Sequence, residues 1–360
     1  VRALPGCENF TAADLRQDEG ALDTWFSSWL WPITLFDGIN NPGNPEINYY
    51  YPTATLVTGP DIIFFWVARM IMAGYEYVGK EPFKNVYFTG IVRDNLGRKM
   101  SKSLGNSPDP LELIARFGAD GVRMGMMLAA PAGNDIMFDE RLCEQGRNFC
   151  NKIWNAFRLI NTWTVDDSIA MPEVNRIAIE WFRGRLNATV AEVNDLFDKF
   201  RINEALMCVY RLFWDEFSSW YLEMVKPAYG APVDAATMKA TTEFFDSLLR
   251  MLHPFMPFIT EELWQHLAAR AEGESIMYTP MPAADEYDRD LDSTVALAKE
   301  IISGVRAIRA KKNIPAKEAL PLNVIGTIPA AIHPLVKKLA NISDIEMESK
   351  KDAAAATFMV

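Results

Sequence analysis

The stretch "GRKMSKSLGN", Gly97 to Asn106, gathers the residues whose chemistry is easiest to read. Arg98, Lys99 and Lys102 bring positive charge, Ser101 and Ser103 bring hydroxyl donors, and Gly97 and Gly105 let the backbone turn sharply at little steric cost. A loop of this make-up suits a polyphosphate. It stands out because the 360-residue chain is acidic, with a formal net charge of −11. That balance argues against indiscriminate binding of nucleic acid, while a local basic surface can still hold an RNA by its phosphates. Metal and disulfide chemistry find little support. Cys7, Cys143, Cys150 and Cys208 form no Cys-x-x-Cys pair, and the only histidines are His253, His266 and His333.

The elements around the loop place it where a ligand would sit. "TATLVTG" from Thr53 is β-branched and apolar, a helical stretch runs from Asp61 to about Val78, and "NVYFTGIV" (Asn85 to Val92) is again strand-like. Strand, helix and strand predict a βαβ crossover with parallel strands buried on both faces. The basic loop follows the second strand, at the carboxyl end of the sheet, where open parallel sheets bind ligands. Next, "SPDPLELIARFGADGVR" offers a helix with Asp109 as N-cap and Pro110 at its first position. A short apolar segment follows at Ile136 to Phe138.

Helices dominate from Glu140. "RNFCNKIWNAFRLINTW" places Phe149, Ile153, Trp154, Phe157 and Ile160 at helical spacing, opposite a basic face of Arg147, Lys152 and Arg158. "RINEALMCVYRLFWDEFSSWYLEMV" and "TTEFFDSLLRMLHPFMPFITEELWQHLA" predict two more helical stretches, the second broken at Pro254 and Pro257. "TPMPAADEYDRDLDS" reads as a linker, Thr294 to about Lys312 as a last helix, and "EALPLNVIG" as a strand. The fold class expected is therefore α/β, the second half of a Rossmann-type nucleotide-binding fold, followed by an all-α bundle and the start of a small α/β module. Residues 1–105, 106–145, 146–292 and 293–360 are the domains expected. The longest apolar run, from Ile62, is interrupted by Arg69 and too short to span a bilayer, and no secretory leader opens the chain, so a cytoplasmic protein is expected.

"GRKMSKSLGN" resembles the KMSKS signature of the class I aminoacyl-tRNA synthetases, matching its five-letter core and the following Gly-Asn. "LDTWFSSWLWP" (Leu22 to Pro32), "GPDIIFFWVARM" (Gly59 to Met70), "RNFCNKIWNA" (Arg147 to Ala156) and "HPFMPFITEELW" (His253 to Trp264) are similar, in order and spacing, to the valine branch of that family. The resemblance implies ATP, with Mg2+, and L-valine as substrates, and tRNA(Val) as partner of a monomeric enzyme. It implies an ATP site at Lys99, Met100, Ser101, Lys102 and Ser103, with Lys99 and Lys102 catalytic. It implies a valine pocket at Trp25, Asp61, Ile62 and Trp66, with Asp61 a partner for the substrate ammonium; ordinary core packing is the alternative for the apolar members. It implies anticodon contacts near the first bundle helix, for which Arg141, Asn148, Lys152 and Arg158 are the candidates. A solvated outer face is the alternative there, and Leu159 stands where some relatives carry an aromatic.

The family's HIGH signature has no counterpart, since no histidine precedes His253. The chain is therefore expected to be a C-terminal part of such an enzyme, without the first half of the catalytic fold, the editing domain and the final tail, and inactive alone. An isoleucine or leucine enzyme, or a module that only binds tRNA, are the alternative readings.

Overall fold

The computed structural model describes residues 5–130, 133–286, 289–350 and 355–360. Compactness divides the chain after Ile91 into two units. In the first, short helices α1 (Thr24–Ser28), α2 (Trp31–Thr34) and α3 (Pro45–Tyr50) precede strand β1 (Thr53–Thr58). Asp23 caps α1 by accepting the Trp25 N–H, and Asn44 caps α3 by accepting those of Glu46 and Ile47. The crossover leads through a 3-10 turn (Pro60–Ile62), a π-type turn (Ile63–Val67) and α4 (Ala68–Tyr77) to β2 (Phe83–Phe88). The two strands are parallel, from Thr53 opposite Phe83 to Thr58 opposite Phe88, as the βαβ reading requires. Val67, Met70 and Phe83 form the small core beneath them.

One expectation is corrected here. The strand anticipated from Asn85 to Val92 starts two residues earlier, at Phe83, and ends at Phe88. Its ladder finishes with Thr89 donating to the Thr58 carbonyl, Gly90 follows, and Val92 belongs to a separate strand.

The second unit opens with β3 (Val92–Arg93), which pairs in parallel with β4 (Ile136–Met137). Between them lie α5 (Pro110–Phe117) and α6 (Ala119–Leu128), and α5 has the expected Asp109 cap and Pro110 start. α6 crosses α7 (Glu140–Asn161) closely: a Cβ added at Gly125 would lie 2.7 Å from the Cys143 nitrogen, and one at Gly146 would meet the Gly121 carbonyl oxygen. The bundle continues with α8 (Glu173–Asp198), α9 (Ile202–Arg211), a π-type helix (Leu212–Tyr221), α10 (Leu222–Val225), α11 (Ala235–Leu252) and α12 (Pro257–Leu267). Phe149, Ile153, Phe157, Phe182, Phe213, Phe217 and Phe245 fill its core.

Three helical details depart from the sequence reading. α8, the longest helix, was not singled out; it buries Ile177, Trp181, Phe182, Asn187 and Thr189 around much of its circumference, so it lacks a single apolar stripe. Trp154, expected on the buried side of α7, is 42% exposed. α13 runs Arg289–Lys312, beginning inside the stretch read as linker. Asp292 in its first turn accepts hydrogen bonds from Trp181 Nε1 and Arg185 and so ties it to α8. The chain then forms β5 (Leu320–Ile325), α14 (His333–Ala340) and β6 (Ile342–Glu348), the strands parallel, which makes the small α/β module.

Candidate functional site

The loop after β3 is held by one carboxylate. Asp94 is buried, and its Oδ1 accepts the N–H groups of Leu96 at 3.0 Å and Arg98 at 2.9 Å. Its Oδ2 accepts Arg98 Nε at 2.8 Å and Asn106 Nδ2 at 2.9 Å. One side chain thus grips both ends of the segment. Gly97 closes the turn with its N–H on the Asp94 carbonyl, at a φ of +76° that favours glycine. Asn106 completes the ring by accepting the Ser101 N–H at 2.9 Å and donating to the Lys99 carbonyl at 3.3 Å. Hydrogen bonds to Asn106 first, and to Arg98 and Leu96 with them, hold the Asp94 carboxyl well below the usual carboxylate range.

Within that frame Lys102–Leu104 form a 3-10 turn, capped by Ser101 Oγ accepting the Leu104 N–H. Gly105 ends it in the left-handed region, at a φ of +62°. Ser101 and Ser103 hydroxyls lie 3.1 Å apart. Arg98, counted at first among the cations offered to a ligand, is instead committed to Asp94. The Lys102 side chain is exposed and makes no hydrogen bond or ion pair with another described residue, while its carbonyl accepts the Gly105 N–H. Lys99 and Met100 sit on the rising limb of the loop, where the Lys99 backbone bridges to Arg93 and the Met100 N–H donates to the Val92 carbonyl. The result is a braced loop that displays lysines and hydroxyls. Asp94 and Asn106 were assigned no role from the sequence; the Asp-Asn-x-Gly run at 94–97 was the available signal, since it marks a tight turn.

In the first unit the four pocket candidates lie at the carboxyl end of β1 and on α1. Trp25 is half-buried, with its ring 5.3 Å from that of Phe65 and under the Arg69 guanidinium at 5.1 Å. Asp61 and Ile62 occupy the 3-10 turn just past β1. Trp66 packs partly into the small core of Val67, Met70 and Phe83. Trp25 therefore meets Phe65, while Trp66 sits over the sheet.

On the bundle, the four RNA candidates share α7 but differ in freedom. Arg141 is tied to Asp139 at the helix start. Lys152 rests its ammonium 5.2 Å from the Trp214 ring centroid. Asn148 and Arg158 are exposed and bond no other described residue through their side chains. The motif "HPFMPFITEELW" has a structural partner in "GADGVR": Asp120 accepts from Phe258 N and Ile259 N at the start of α12, and Arg123 donates to the Pro254 and Phe255 carbonyls at the end of α11.

Among the described residues no group of His, Cys, Asp and Glu could hold a metal ion, and no helix is long and apolar enough to cross a membrane.

Residues 6–139 match the family described as "tRNA synthetases class I (I, L, M and V)", and residues 180–324 match "Anticodon-binding domain of tRNA ligase". The chain is 66% identical over 355 residues to a valine--tRNA ligase of Parabacteroides distasonis, covering 99% of the chain and 41% of that protein. It is 40% identical to that of Thermotoga maritima, covering 98% of the chain and again 41% of the relative. The chain thus spans about two-fifths of the length of these relatives. The fold is also similar to that of an Agrobacterium radiobacter LeuRS in a ternary complex with tRNA and LeuAMS, with TM-score 0.56 and 21% identity over 77% of this chain and 34% of that one. A Mycobacterium tuberculosis methionyl-tRNA synthetase with methionyl-adenylate matches with TM-score 0.53 and 19% identity over 73% of this chain and 54% of the other.

Proposed function

Because this chain belongs to the class I tRNA synthetases of the isoleucine, leucine, methionine and valine group, we propose that it is the part of a valine--tRNA ligase that carries the ATP-closing loop and the anticodon-binding bundle. The enzyme joins L-valine to ATP as valyl-adenylate, releasing pyrophosphate, and transfers the valyl group to tRNA(Val). The observation that carries this reading is the braced loop. Asp94 and Asn106 spend their hydrogen bonds holding the frame, which leaves Lys102 at the tip for a ligand. An ammonium there stabilises charge that builds on the departing pyrophosphate, a task for a preorganised cation. Lys99, Met100, Ser101 and Ser103 complete the ATP contacts. Mg2+ enters with ATP, held by phosphate oxygens and water as this hard cation commonly is.

Valine lacks a polar side-chain group, so its pocket works by shape: Trp25, Ile62 and Trp66 enclose it and Asp61 takes its ammonium. The RNA contacts lie on α7, at Asn148, Lys152 and Arg158, with Arg141 at its start. The reading divides the chain functionally at residues 1–105, 106–145, 146–292 and 293–360, and takes the enzyme as a cytoplasmic monomer.

The test is amino-acid-dependent exchange of pyrophosphate into ATP by the complete synthetase that contains this chain. Valine should support exchange far better than isoleucine or leucine. Equal or greater rates with either would reject the assignment.

A further inference from the structure

The loop that displays the lysines uses Arg93 twice, once through its backbone and once through its side chain. As the last residue of β3 it pairs with Met137 of β4, and its carbonyl accepts the Phe138 N–H at 3.0 Å. The same backbone bridges to Lys99 on the rising limb. The guanidinium then serves two acceptors: Nε donates to the Asp135 carboxylate, just before β4, and Nη1 donates to the Gly97 carbonyl at 3.3 Å. One residue thus joins the small sheet, the lead-in to β4 and the loop itself.

Gly97 is where this grip matters. Its left-handed backbone has open space around it, so a glycine here is the freest point of the turn. Two bonds remove that freedom: the Gly97 N–H donates to the Asp94 carbonyl, and its carbonyl is taken by Arg93. A planar fork holds a carboxylate and a carbonyl in a fixed relation, which an ammonium on a flexible stem does not. Arg98 cannot substitute, because it is spent on Asp94.

Folding gains little from the Arg93–Asp135 pair. The two side chains are 33% and 38% exposed, and ion pairs this open contribute little to stability. Their geometry instead fixes the loop against the strand from which it departs. Resting on the proposed adenylate-forming role, we infer that Arg93 is a positioning residue for that reaction. Through Asp135 and Gly97 it sets where the loop carries Lys102, without itself meeting ATP.

The experiment is single-turnover formation of valyl-adenylate by the complete synthetase, with ATP and valine titrated separately. Arg93→Ala should slow the chemical step about 10- to 100-fold, the size of loss that a misplacement of about 1 Å produces. Valine affinity and melting temperature should stay close to wild type. Arg93→Lys should be nearly as slow, since charge alone does not restore the fork. Asp135→Ala, which removes the anchor from outside the loop, should slow the step about tenfold. In a Lys102→Ala background, neither Arg93→Ala nor Asp135→Ala should cost much more, because groups that act as a unit are not additive. If wild type forms no adenylate with valine, the proposed function and this inference fall together. If wild type is active, three results overturn the positioning role alone: Arg93→Ala at the wild-type rate, full rescue by Arg93→Lys, or equal slowing with and without Lys102.

Discussion

The carboxylate of Asp120 accepts the backbone N–H of Ile259 at 2.7 Å, across 139 residues of sequence. Three positions along α6, Arg123 donates to the Phe255 carbonyl at 3.1 Å and the Pro254 carbonyl at 3.2 Å. An anion thus meets the start of α12 and a cation the end of α11, each complementing the helix dipole. Asp120→Ala leaves the partly buried Ile259 N–H without its acceptor and should cost about 1 kcal/mol. Urea unfolding of the chain measures this, and an unchanged midpoint would mean the contact contributes nothing.

The crossing of α6 and α7 leaves no space for a side chain at Gly125, where a Cβ would fall 2.7 Å from the Cys143 nitrogen. Gly125→Ala should therefore destabilise by about 1–3 kcal/mol, as overpacking does. Helix propensity alone would make the same change stabilising by up to about 1 kcal/mol. The sign of the shift in melting temperature separates the two.

Much of the loop was legible because its type-defining residues are local. Gly97 and Gly105 do adopt left-handed backbone, and the lysines between them follow from order alone. Asp94 was not legible, because its importance lies in reaching Asn106 across the loop, and a single aspartate carries no periodicity. α8 escaped notice for a related reason: a helix buried on several sides has no stripe to read. Trp154 shows the opposite error. The row Phe149, Ile153, Phe157 and Ile160 defines the buried side, and a residue one position after Ile153 is turned by about 100° away from it.

Asn106→Ala removes the bond to Asp94 and the acceptor for the Ser101 N–H. In the complete synthetase it should slow adenylate formation by about 10- to 100-fold through misplacement of the loop. Valine affinity should hold. Rapid-quench kinetics with ATP and valine titrated separately would show this, and a loss confined to valine binding would contradict it.

The Asp94 carboxyl titrates below its ordinary value, first because Asn106 donates to it. Its folded pKa is depressed, so the bonds it accepts stabilise the loop fully above about pH 4, the usual aspartate value, and are lost as pH falls toward the lower folded value. Limited proteolysis with an acid-active protease should find the loop resistant near pH 5 and progressively cut below pH 4. Asp94→Asn should be cut at both. Equal resistance of wild type at every pH would remove the brace.

The role of Lys102 is tested most directly by single-turnover formation of valyl-adenylate in the complete synthetase carrying Lys102→Ala. Loss of one preorganised charge in the transition state should lower the rate about 10²- to 10³-fold, equivalent to about 3–4 kcal/mol, with ATP affinity changed much less. An unchanged rate with weaker ATP binding would show that Lys102 holds ATP in the ground state and does no more.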